Sequence, residues 1–86
     1  MFEVVLAREA ERTYSRADAA LSHKLARCLA RLESDPREGN NVKKLSGPLA
    51  GMFRYRVGDH RVVYEIDEEA RRVTVITIAH RRDVYD

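Results

Sequence analysis

The feature that most constrains this chain is a change of hydrophobic period near residue 41. Before it, Leu21, Leu25, Cys28 or Leu29, and Leu32 recur at steps of three and four, the spacing of one helical face. After it, Phe53-Arg54-Tyr55-Arg56-Val57 alternates apolar with basic, the period of a strand that buries one side. Residues on these two periods cannot exchange roles, so the halves must form different layers of one structure. With 86 residues there is room for one core, and residues 1–86 are expected to form a single domain.

The remaining elements follow from local signals. Phe2 to Leu6 is short, apolar and rich in β-branched residues, which predicts a strand. Ala7 to Tyr14 turns to helix formers. Ser15-Arg16-Ala17-Asp18 has the spacing of a capping box and is expected to restart a helix. Pro36 ends that helix and Gly39-Asn40-Asn41 continues as loop. Gly58-Asp59 has the form of a two-residue type II′ hairpin turn between Phe53–Val57 and a strand over His60–Ile66. Asp67-Glu68-Glu69-Ala70 is a second, acidic turn that reads as a solubilising loop, and Val73–Ala79 is a last strand. The order is β-α-α-β-β-β: an α+β sandwich, with two helices on one face of a mainly antiparallel sheet.

Several function classes fall away. No run of about 18 apolar residues is present, so no membrane span is expected. The acidic MFEVVLAREAER start lacks the basic region of a secretory signal, so a cytoplasmic location is expected. A single Cys28 gives neither a disulfide framework nor a zinc cluster, and it reads as a small buried hydrophobe. His23, His60 and His80 are dispersed, so no metal and no cofactor is expected.

If Gly58-Asp59 is the turn, Val57 lies opposite His60, Arg56 opposite Arg61, and Tyr55 opposite Val62. One sheet face then carries Phe53, Tyr55, Val57, Val62, Tyr64 and Ile66 for the helices to cover. The other carries Arg54, Arg56 and Arg61. Like charges directly opposite on a sheet are destabilising, and alternating signs would relieve them. Lys43 and Lys44 lie upstream, so five cations face one acid, Asp59, between residues 43 and 61. Converging guanidiniums on a face expected to be uncovered predict a surface for phosphate or an acidic partner. The tail His80-Arg81-Arg82-Asp83-Val84-Tyr85 adds two cations, an imidazole and a phenol. Arginine to pair with phosphate and tyrosine to stack on a base suit an RNA. A one-residue slip in the last strand would exchange the faces of His80 and Arg81, and the sequence does not fix that register.

Three stretches carry a resemblance: Lys44-Leu45-Ser46-Gly47, the run from Phe53 through Gly58-Asp59-His60-Arg61-Val62-Val63-Tyr64, and Ala79-His80-Arg81-Arg82-Asp83-Val84-Tyr85. Together they resemble the RelE-like toxins of the RelE/ParE toxin–antitoxin superfamily. The resemblance implies a type II toxin that is a ribosome-dependent mRNA endoribonuclease (an mRNA interferase), inhibiting translation and held inactive by a RelB-like antitoxin. It implies metal-independent transfer of phosphate to the neighbouring 2′-hydroxyl. Its catalytic positions fall on Arg54, Arg61, Arg81 and Tyr85, with His80 a further proton carrier, and Lys43, Lys44, Arg56 and Arg82 are expected to bind RNA. Arg54 and Arg56 stand where several members carry lysine, so His80 and Tyr85 both remain open as the general base. The alternatives are a ParE-like toxin that inhibits gyrase by binding, and a catalytically weak antitoxin-binding module. Arg61, Arg81 and Tyr85 together favour the nuclease.

Overall fold

The computed structural model describes residues 1–84. The chain runs through β1 (Glu3–Leu6), α1 (Arg8–Arg16), α2 (Ala19–Ser34), β2 (Val42–Lys44), β3 (Phe53–Val57), β4 (His60–Asp67) and β5 (Arg72–His80). Short 3-10 turns follow β2 at Gly47–Leu49 and β5 at Arg81–Asp83. The sheet order is β1-β5-β4-β3-β2, with β1 parallel to β5 and the other pairs antiparallel. The expected α+β order is present with one strand added. Three residues are too few to display a period, and β2 exists because Val42, Lys43 and Lys44 pair with Tyr55, Arg54 and Phe53 of β3.

Both helices contribute to one core. Ala10, Leu25, Cys28 and Leu32 pack with Phe53, Val57, Val62, Tyr64, Val73, Val75 and Ile78. β1 ends opposite Val75, and α1 packs along β5, covering an edge that would otherwise stand unpaired. The second helix starts later than the capping-box spacing predicts. Ser15 lies inside α1, where its hydroxyl bonds back to the Arg12 carbonyl. Asp18 is the N-cap of α2, and its Oδ1 accepts from the Leu21 backbone N–H at 2.8 Å. Tyr64 is fully buried, stacked on Phe53 with centroids 5.8 Å apart, and its hydroxyl donates to the Pro36 carbonyl at 2.6 Å. The proline that ends α2 is thereby tied to the middle of the sheet.

The β3–β4 hairpin has the expected register, with Val57 opposite His60 and Arg56 opposite Arg61. Gly58 supplies the positive φ, 58°, that the first central position of this turn requires. The β4–β5 pairing holds a bulge: Val63 faces Thr77 and Tyr64 faces Val75, so Ile76 is the extra residue. Burial follows the change of phase, with Val73 and Val75 buried before Ile76 and Ile78 after it. The acidic turn does more than solubilise. Asp67 accepts from the Ala70 N–H at 3.0 Å, and Glu68 pairs with Arg37 and Arg71. Among the described residues no helix is long and apolar enough to cross a membrane.

Candidate functional site

Two cross-strand rows of cations form on the sheet face away from the helices. Lys43 of β2 sits opposite Arg54 of β3, whose neighbour on β4 is Val63. Arg56 sits opposite Arg61, whose neighbour on β5 is Ala79. Like-charge pairs therefore occur twice in adjoining rows, at a cost to stability that sheet formation does not require. Backbone carbonyls orient two of the guanidiniums. Arg54 Nη1 donates to the Asn41 carbonyl at 2.7 Å, and Arg61 Nη1 to the carbonyls of Gly58 and His60 at 3.2 and 3.1 Å. Such groups can hold phosphate oxygens in fork geometry, and they remain protonated throughout.

The tail is clamped to the hairpin turn. The Arg81 N–H donates to the Asp59 carbonyl at 2.7 Å, and Arg81 Nε lies 3.8 Å from Asp59 Oδ1, with both side chains about two-thirds exposed. An exposed pair at that distance holds Arg81 weakly and leaves it able to move to a stronger anion. His80 lies opposite His60, ring centroids 5.6 Å apart, on the side of the sheet that α2 covers. The bulge at Ile76 places it there; an unbroken alternation would have aimed it at the cations. Its Nδ1 accepts from the Arg82 N–H and from Arg82 Nε, both at 3.4 Å. By register Lys44, opposite Phe53, also lies on the helix side, whereas Lys43 joins the basic face. Tyr85 lies outside the described residues.

The face expected to be uncovered is covered in part. Leu45 and Val63 are buried there. The 3-10 turn at Gly47–Leu49 borders a cleft of about 680 Å³ whose walls include Leu49, Met52, Val63, Ile76 and Ala79. The sequence reading missed this apolar half, although Val62-Val63-Tyr64, three bulky residues in a row within an alternating strand, is its signal. Glu9 of α1 reaches the cleft and accepts from the Thr77 hydroxyl at 2.7 Å. Among the described residues no group of three or more His, Cys, Asp or Glu is placed to hold a metal ion.

Compared with known proteins, residues 4–85 match the family model described as the ParE toxin of the type II toxin–antitoxin system parDE. The chain belongs to this ParE toxin family. It is a type II toxin of the RelE/ParE superfamily. Toxin RelG of Mycobacterium tuberculosis (strain ATCC 25618 / H37Rv) is 42% identical over 43 residues, half of this chain and 49% of that protein. The chain thus spans about half the length of the curated relative it matches. Two solved structures share the fold of this ParE-family chain. A YoeB/ParE toxin from Agrobacterium tumefaciens superposes with a TM-score of 0.82 at 24% identity, covering 92% of this chain and 98% of that one. A chain of an archaeal RelE–RelB complex from Pyrococcus horikoshii OT3 gives 0.80 at 23% identity, covering 96% and 98%.

Proposed function

We propose that this toxin is a ribosome-dependent mRNA endoribonuclease acting without metal. The observation that carries the reading is the doubled like-charge row, Lys43 with Arg54 and Arg56 with Arg61, on one sheet face. In the reaction, the 2′-oxygen attacks the adjacent phosphorus and the bond to the 5′-oxygen breaks, leaving a cyclic phosphate and a 5′-hydroxyl. One proton leaves the 2′-hydroxyl and one reaches the departing oxygen. Arg54 and Arg61 stabilise the charge that grows on the non-bridging oxygens, and Arg81 swings from Asp59 to the same phosphate. Lys43, Arg56 and Arg82 grip the message, and Lys44, on the helix side, is not part of that face. A guanidinium cannot take the 2′-proton, and His80 lies across the sheet from the cations with Nδ1 accepting from Arg82, so that step falls to Tyr85. A ribosome-held codon supplies the in-line geometry that this open face does not impose, a contribution that can reach roughly 7–11 kcal/mol. An acidic RelB-like antitoxin covering the same cations accounts for silencing.

A second reading has one observation behind it: the matching family model is that of ParE toxins. On that reading the protein inhibits gyrase by binding and cuts nothing. Primer extension on translated mRNA after induction separates the two. The nuclease reading expects new 5′ ends within codons of translated messages. Intact messages together with inhibited supercoiling by purified gyrase would establish the second reading instead.

A further inference from the structure

The cations of α2 are not used by the reading above. From Ala19 to Leu32 this helix holds no Asp or Glu, yet it carries His23, Lys24, Arg27 and Arg31. A solvated helix face normally mixes signs, because like charges one turn apart repel. Two of these cations, Lys24 and Arg27, border an indentation of about 210 Å³ between α2 and β3, whose far wall is Tyr55, Arg56 and Val57. Among the described residues, no ion pair or side-chain hydrogen bond engages Lys24, Arg27 or Arg56. Strand pairing with β2 ends at Tyr55 and the Arg56 N–H donates to the Asn41 carbonyl at 2.9 Å, so the chain's cover of the β3 edge stops where the indentation begins. The half-buried Tyr55 offers a ring on which a base or ribose can rest.

We infer that this indentation is a second phosphate site, in which Lys24 and Arg27, with Arg56 at the rim, hold a phosphodiester of the RNA backbone. The inference rests on the RNA-cleaving reading and extends it. Arg56 belongs to the basic sheet face and also borders the indentation, so one strand crossing that face reaches α2 around the β3 edge. The space suits a phosphodiester with its ribose and is too small for a peptide segment with packed side chains. A single carboxylate side chain reaching in from an acidic protein partner is the competing occupant.

The test is the salt dependence of binding to a single-stranded oligoribonucleotide bearing 2′-O-methyl groups, which cannot be cut. Each phosphate contact on a single strand contributes about 0.7 to the slope of log affinity against log salt. Lys24→Ala/Arg27→Ala removes that one phosphate contact and should flatten the slope by about 0.7 and weaken binding roughly 5-fold at 0.1 M salt. Arg8→Ala/Arg12→Ala on α1 removes the same charge elsewhere and should leave the slope near that of the wild type. Thermal unfolding checks that each variant folds. An unchanged slope in the α2 variant overturns the inference, as does equal flattening in both, which would mean diffuse attraction only. Wild-type RNA binding with loss of antitoxin affinity in the α2 variant also overturns it and assigns the indentation to the partner. Message cleavage by the wild type on ribosomes is scored separately, so the RNA-cleaving reading stands or falls independently of this site.

Discussion

Arg81 is held by an exposed pair with Asp59 that costs little to break, which suits a side chain needed only when a phosphate arrives. Removing a donor that acts on developing charge lowers the chemical step by about 10²–10³. Arg81→Ala should show that loss in single-turnover cleavage on saturated ribosomes while ribosome affinity holds; cutting at the wild-type rate would assign the step elsewhere. Tyr64 is the corresponding residue for the fold. Tyr64→Phe keeps the ring but leaves the Pro36 carbonyl without its donor, and should cost about 1–3 kcal/mol in urea unfolding. Burial pushes the Cys28 thiol up to about 12 from 9.0. Below pH 9 the thiol is neutral in folded and unfolded chains, and stability is complete. As pH rises from 9 towards 12, the unfolded chain releases a proton that the folded chain keeps, so stability falls. Cys28→Ala should flatten part of that alkaline decline in Tm; Tyr64, shifted upward by the same burial, retains the rest.

Among the elements, α2 shows where local signals compete. Ser15 and Asp18 are both good caps, and the chain uses Asp18 because Ser15 is still within the last turn of α1. Asp18→Ala should therefore cost about 1 kcal/mol, and Ser15→Ala only a few tenths, in the same unfolding assay. The β3–β4 hairpin was legible because a two-residue turn fixes the pairing of Arg56 with Arg61. The face of His80 was not, because the bulge at Ile76 leaves no mark in Val73-Thr74-Val75-Ile76-Thr77, which reads as unbroken alternation from Val73 to Val75 and as continuous strand beyond. β2 was hidden for a different reason: its three residues become a strand only through β3. The covering of the outer face was missed because Leu45 and the turn at Gly47–Leu49 act through tertiary contact, which periodicity does not report.

For the whole molecule, a net charge of only +2 conceals local clusters of one sign: Lys43, Arg54, Arg56 and Arg61 share one sheet face, Lys24, Arg27 and Arg31 lie along an acid-free stretch of α2, and Asp67, Glu68 and Glu69 sit together in the β4–β5 turn. Association with an acidic antitoxin should accordingly slow as salt rises from about 50 to 500 mM, since the Debye length shrinks several-fold over that range. A rate constant independent of salt would contradict an antitoxin seated on the basic face. On the proposed function the basic face serves a reaction of the 2′-hydroxyl. The most direct test is single-turnover cleavage on saturated ribosomes of two messages that differ only in ribose or 2′-deoxyribose at the cut position. The ribose message should be cut and the 2′-deoxy message should stay intact. Equal cutting of both, or no cutting of either by folded protein, would contradict it.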